Sequence, residues 1–408
     1  MLIRTQADLQ AALRVGGDVA CDPTVVIDLT ETMPIGLPTR LLGGTFTVRS
    51  GPAFHVSSSD VEIAAVSITG PGGTTLNTAQ RLINAVGTQA APLTGITVRD
   101  CRLSGSMSDS VWLEWCVDSS VRGCVISDFL NSGVLVVSGL RVSVADNAIS
   151  DGHLATGAVN VYGISFTDLL NTASARSTHC TATGNQVQEI DWEGIETHGG
   201  NGIVVTGNTV TACHRGIALV TGNTNRVAAP TNCVTSGNLV DGTGARVTPD
   251  IGVFLAGGSA PASATITGNT IAGYDSAQPI SVINWNRTNT TVANNSRPHV
   301  PWSNVTLATG WTANATFHPQ YMVDGNTVSF RGGVIPPTGG ISGHPVIGSL
   351  AATAAWPTQR VFFATTKGSS AAAGIGVLNV DVDGTFRVDY GSTSDQFTYW
   401  LTGTYLAA

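Results

Sequence analysis

Residues 184–220 read GNQVQEIDWEGIETHGGNGIVVTGNTVTACHRGIALV, and the repetition inside this stretch decides the fold. Asn185 opens GNQV and Asn208 opens GNTV, 23 positions apart. That period is too short for a packed pair of helices and fits one coil of a β-solenoid. Each copy runs on into a Gly-Ile strand, Gly194-Ile195-Glu196-Thr197-His198 and Gly216-Ile217-Ala218-Leu219-Val220, whose glycines lie 22 positions apart, so the two strands are predicted to stack in parallel. The same stretch holds Glu189, Asp191, Glu193 and Glu196, a dense acidic run in a chain where charged residues make up only 11%.

Working outward, the corner residue recurs as Cys101, Cys124, Asn147, Asn185, Asn208, Asn238, Asn269 and Asn295, with steps of 23, 23, 38, 23, 30, 31 and 26. The base coil is about 23 residues, and the longer steps mark loops inserted at a corner. Stacked Asn side chains can hydrogen-bond from coil to coil, which satisfies amides buried in the turn. Ahead of the coils, TQADLQAALR (5–14) places Leu9, Ala12 and Leu13 on one helical face, with Thr5 as N-cap and Asp8 three positions on. Such a helix would close the open end of the solenoid core.

Composition narrows the possible functions. The 408 residues include 48 glycines and a single lysine, Lys367, and Val, Ile, Thr, Ser, Asn and Gly dominate, which points to an all-β chain. A net charge of −8 argues against nucleic acid, which needs clustered Lys and Arg. The seven cysteines, Cys21, Cys101, Cys116, Cys124, Cys180, Cys213 and Cys233, contain no CxxC pair, so neither zinc nor a full disulfide framework is expected. They read as core residues, with Cys101 and Cys124 as stacked buried thiols. No cofactor or metal site is predicted. No apolar run approaches the ~20 residues of a membrane span, and MLIRTQADLQAALRVGGDV lacks the pattern of a signal peptide.

The N-terminal helix, the coil length and the GN(T/Q)(V/I) corners resemble the right-handed parallel β-helix proteins of the pectate-lyase-like group, over roughly residues 1–297. The resemblance implies a capping segment at 1–20 and a right-handed parallel β-helix at 21–297; polysaccharide lyases, glycoside hydrolases, phage tailspikes and adhesins share that architecture. The Asn corners stop at Pro298-His299-Val300-Pro301, and alternating strands with hairpin signals at Asp324-Gly325-Asn326 and Asp383-Gly384 follow, predicting a small antiparallel β-sandwich or jelly roll over 298–408. Thr309-Gly310-Trp311, Gly325-Asn326, Val328, Arg331-Gly332, Trp356-Pro357, Asp383-Gly384, Tyr399 and Tyr405 occur in an order that resembles the C-terminal domains of phage tail and receptor-binding proteins. That resemblance implies a homotrimer in a virion tail, beside other phage tail proteins, with a bacterial surface polysaccharide as partner.

Registering the coils on Ser110, Gly133, Gly163, Gly194, Gly216 and Gly252 puts an apolar residue next in every case, pointing inward. Alternation sends Trp112, Leu135, Ser165, Glu196, Ala218 and Phe254 outward, and after them Glu114, Val137, Thr167, His198, Val220 and Ala256. Glu196 and His198 then share an exposed outer face with Trp112 and Glu114 three coils earlier, and an aromatic plane beside carboxylates suits a sugar chain. Mutual repulsion would raise at least one carboxyl pKa in the acidic run, as a general acid requires. The predicted catalytic pair is Glu196 with Glu193 or Asp191, assisted by His198, and Trp112, Glu114, Tyr162, Asp168, His214 and Arg215 are the predicted substrate contacts. Glu193 also registers with Arg215 and so has a plain ion-pair explanation. Hydrolysis is favoured over a lyase reaction, because the acids would repel a uronate; a purely adhesive protein and a free-standing glycanase are the competing readings. Asn284-Trp285-Asn286-Arg287 is a further candidate, for sugar binding or for covering the last coil.

Overall fold

A computed structural model describes residues 2–158, 160–168, 176–222, 228–256, 261–274, 280–282 and 290–296, then 303–315, 317–324, 327–337, 345–350, 357, 361–369, 372–388, 398–401 and 403–406. The chain divides into two compact units, Met1–His299 and Val300–Ala408. The breakpoint residues Pro298–Pro301, Asn284–Arg287, Gly325–Asn326 and Trp356 lie outside the described residues, as does the Tyr405 side chain.

The first unit is a right-handed parallel β-helix. Its described strands form three long parallel sheets of eleven, ten and ten strands, built from successive coils, and a short two-stranded parallel sheet, Leu93–Thr94 with Cys116–Val117. The inward residues of the third sheet, Val111, Val134, Ile164, Ile195, Ile217 and Val253, are in register and fully buried. With the matching rows of the other two sheets they make one apolar core along the unit. At the N-terminal end the helix Gln6–Leu13 covers that core with Leu9 and Leu13. The Asp8 backbone N–H donates to Thr5 Oγ1 at 3.1 Å and Thr5 Oγ1 donates back to Asp8 Oδ2 at 2.7 Å, the reciprocal cap that the sequence suggests. Burial of each leucine stabilises the cap by about 1.5–3 kcal/mol.

The Asn corner is a continuous ladder. Asn147 Nδ2 donates to Asn185 Oδ1 at 2.9 Å, Asn185 to Asn208 at 2.9 Å, Asn208 to Asn238 at 2.9 Å, Asn238 to Asn269 at 2.8 Å and Asn269 to Asn295 at 2.9 Å. Each Oδ1 also accepts the backbone N–H of the rung before it, so both lone pairs are used. The residue ahead of each rung (Asp100, Gly123, Asp146, Gly184, Gly207, Gly237, Gly268, Asn294) is left-handed, with φ between 55° and 68°. That requirement explains why Gly, Asp or Asn stands there. All seven cysteines are buried and free, with Cys101 and Cys124 in the ladder column.

The second unit has a four-stranded and an eight-stranded sheet, and its strand pairs are antiparallel. Tyr321, Val328 and Phe330 from the smaller sheet meet Val334, Leu378, Phe386 and Tyr399 from the larger one in a single core. Gln320–Asp324 pairs with Thr327–Arg331, and Ala372–Val380 with Thr385–Val388, so both hairpin signals join paired strands. Gly384, with φ 75°, occupies a turn position that favours glycine. No helix among the described residues is long and apolar enough to cross a membrane.

Candidate functional site

The site lies on the outer wall of the third sheet and is built from Tyr162–Thr167, Glu193–His198, Arg215–Val220 and Ile251–Ala256. Tyr162 pairs with Glu193, Glu193 with Arg215 and Arg215 with Ile251; Ser165, Glu196, Ala218 and Phe254 form the next outward column. Gly194 turns the chain inward between Glu193 and Ile195: a Cβ there would stand 2.5 Å from Val210 Cγ1 and 2.8 Å from Gly216 O. The corner lets Glu193 and Glu196 both face out although they are three residues apart.

The face was expected to be exposed; instead Glu193 is 2% and Glu196 1% exposed. Coils stacked about 4.8 Å apart bring their side chains close enough to cover one another. Arg215 Nη1 reaches Glu193 Oε1 at 3.1 Å, and His198 Nδ1 lies 3.3 Å from Glu196 Oε1, which also accepts the Ser165 hydroxyl. Among the described residues, the buried Glu196 Oε2 has no hydrogen-bond partner. Tyr162, 7% exposed, sets its ring edge-on to His198 with centroids 5.7 Å apart, and its hydroxyl accepts from Asn160 Nδ2 at 2.7 Å.

Burial first, and then the Glu196 charge, push the Glu193 carboxyl up to about 7, against the opposing pull of His198 and Arg215. For His198, burial works against the cation, but Glu196, with Glu193 and Asp168 behind it, outweighs burial and lifts the imidazole to about 9. Burial, then Glu196 and Glu193, push the Tyr162 phenol up. The result is a carboxyl that holds its proton up to about pH 7 and an imidazolium on the same strand, with Glu196 beside both.

The partly exposed rings of Trp192, His198 and His214 border this group. Trp192 stacks on His214 (4.8 Å, 27°), and the Arg215 guanidinium lies 4.6 Å from the Trp192 ring and 5.0 Å from Phe254. Trp192 and Asp250 were not singled out from sequence, and Phe254 was placed only as a member of the outward column; an aromatic next to Glu193 was the available signal for the first of them. Asp168 is buried, and its charge acts on His198.

Two expected groups stand apart. Asp191 is not a partner of Glu196: Arg246 Nε holds its Oδ1 at 2.9 Å, its Oδ2 accepts the Leu154 N–H at 3.1 Å, and the same Arg246 reaches Glu189 Oε2 at 3.1 Å and Asp151 Oδ1 at 3.4 Å. Trp112 lies in the predicted column and at the predicted three coils from Glu196, about 14 Å away. One face of its indole is covered by Arg81, 3.6 Å from the centroid, and its Nε1 donates to Glu114 Oε2 at 3.1 Å. Arg81 in turn pairs with the buried Asp109 at 3.2 Å.

Residues 53–232 match the family model described as the right-handed beta helix region. The curated protein sequences include no significant match to this chain. Among solved structures, the Dettilon tailspike protein is similar at 14% identity and a TM-score of 0.46, over 93% of this chain and 87% of that one. A pectate lyase is similar at 11% identity and 0.43, over 71% and 72%. The head domain of lactococcal phage bIL170 matches 27% of this chain and 100% of its own length, at 13% identity and 0.23.

Proposed function

We propose that this chain is a phage tailspike or tail-fibre protein whose β-helix binds a bacterial surface polysaccharide and cleaves it by glycoside hydrolysis. The reading includes a homotrimer in the virion tail and a division into a cap (1–20), a β-helix (21–297) and a C-terminal sandwich (298–408). What carries the hydrolytic part is the pairing of two buried glutamates on one strand, one of which keeps its proton up to about pH 7. Glu193 protonates the leaving glycosidic oxygen. Glu196, oriented by Ser165 and His198, activates water or attacks the anomeric carbon. Trp192, His198 and His214 provide ring faces for the sugar chain.

A second reading, an adhesin that binds without cleaving, is favoured by one observation: both carboxylates are almost fully covered, and Glu193 already has a cation, Arg215. Incubation of the purified chain with host envelope polysaccharide separates the two. New reducing ends that disappear in Glu196→Gln and Glu193→Gln support hydrolysis. Unsaturated uronate products would mean a lyase, and binding with neither product would mean an adhesin.

A further inference from the structure

The segment Gly242–Asp250 leaves the second sheet after Leu239–Asp241 and rejoins the third sheet at Ile251. It is fastened at three points. Arg246 is its pin: besides Asp151, Glu189 and Asp191, its guanidinium donates to the carbonyls of Gly152 (3.3 Å) and Glu189 (2.5 Å). Thr248 presents its carbonyl to His214 Nδ1 at 2.5 Å. Asp250 donates its N–H to the His214 carbonyl at 2.7 Å, and its Oδ2 takes Arg215 Nε at 2.8 Å.

Arg215 is therefore divided between two carboxylates. Its Nε is committed to Asp250 and its Nη1 to Glu193, while Trp192 and Phe254 hold the guanidinium plane in place. We propose that Asp250 is a positioning residue, which holds back part of Arg215 so that Glu193 stays a proton donor, and that Arg246 sets Asp250 by pinning this segment. The inference rests on the reading of Glu193 as the acid and supplies its control. Arg215 fully released toward Glu193 would favour the ionised carboxylate, the wrong state for protonating a leaving group. The other groups facing Glu193 are Tyr162 from the coil before it and Glu196 and His198 from its own strand, whereas the Asp250 side chain reaches Arg215 and His214.

Carboxyl-carbon NMR titration of Glu193 in the full chain tests this without any substrate, with Glu193→Gln identifying the resonance. In Asp250→Asn the Glu193 midpoint is expected to fall by about one unit from its value near 7, and in Asp250→Glu to return toward it. An unchanged midpoint in Asp250→Asn overturns the proposal, because a merely structural Asp250 would leave that midpoint where it was. If Asp250→Asn does not fold, Arg246→Gln carries the same test, since that side chain touches neither Arg215 nor Glu193. The titration decides the coupling and the product assay decides the reaction, so the two can fail separately.

Discussion

Asp191 and Glu193 are separated by one tryptophan, yet the fold treats them in opposite ways. Asp191 sits at the corner between the second and third sheets, where a partly exposed Arg246 gathers it with Glu189 and Asp151. Glu193 has passed that corner onto the outer wall of the third sheet, where Tyr162, Arg215 and the Glu196–His198 pair enclose it. Removal from water, more than the local density of acids, is what makes Glu193 hold its proton.

Substitution tests this contrast most sharply. Glu193→Gln is expected to lower the rate of polysaccharide cleavage by about 10²–10⁴-fold, the usual worth of a general acid, while Asp191→Asn changes it by no more than a few-fold. Reducing-end release on the same polysaccharide measures both. Equal losses would return Asp191 to the site and erase the distinction.

Stability against pH gives the next largest effect. The Glu193 carboxyl is raised in the folded chain, so its contribution is complete below about pH 4.5 and is lost as pH climbs through about 7. His198 is raised as well, with its contribution complete below about 6.5 and lost as pH passes about 9. The Tm of the β-helix unit is thus expected to fall from pH 5 to pH 9, with Glu193 responsible for about 3 kcal/mol of the loss. Glu193→Gln should flatten the part of the curve near pH 7, and calorimetry across that range checks it.

Gly194→Ala tests the bend that lets Glu193 and Glu196 share the outer wall. The added methyl group meets Val210 and the Gly216 carbonyl, and a loss of about 1–3 kcal/mol in chemical denaturation is expected. The smallest effect should come from the partly exposed ion pair: Asp191→Asn is expected to cost no more than about 1 kcal/mol, declining further in high salt.

Much of the architecture was legible because a solenoid turns sequence period into spatial neighbourhood. The 23-residue step between Asn corners and the Gly-Ile strand openings gave the parallel register, including the column that runs from Trp112 to Phe254. The Asp-Gly and Asp-Gly-Asn signals likewise marked hairpins in the second unit. Burial was not legible. It depends on what closes over the wall, and Arg215, Asp250, Tyr162 and Asn160 reach Glu193 and its neighbours from other coils and from loops of irregular length. Asp191 was misjoined to Glu196 for a related reason. A run of acids in sequence was read as a cluster in space, and a corner at 191–193 divides it, with Arg246 arriving from 55 residues away. Trp112 was placed in the right column, but nothing in the period announced that Arg81 would lie over its ring.

The decisive measurement is the carboxyl titration of Glu193 in the unmodified chain. The account predicts a midpoint near 7, and a downward move when Glu196 is replaced by Gln, because the neighbouring charge is then gone. A midpoint close to 4.3, the value of a glutamate in water, that does not respond to Glu196→Gln would contradict it.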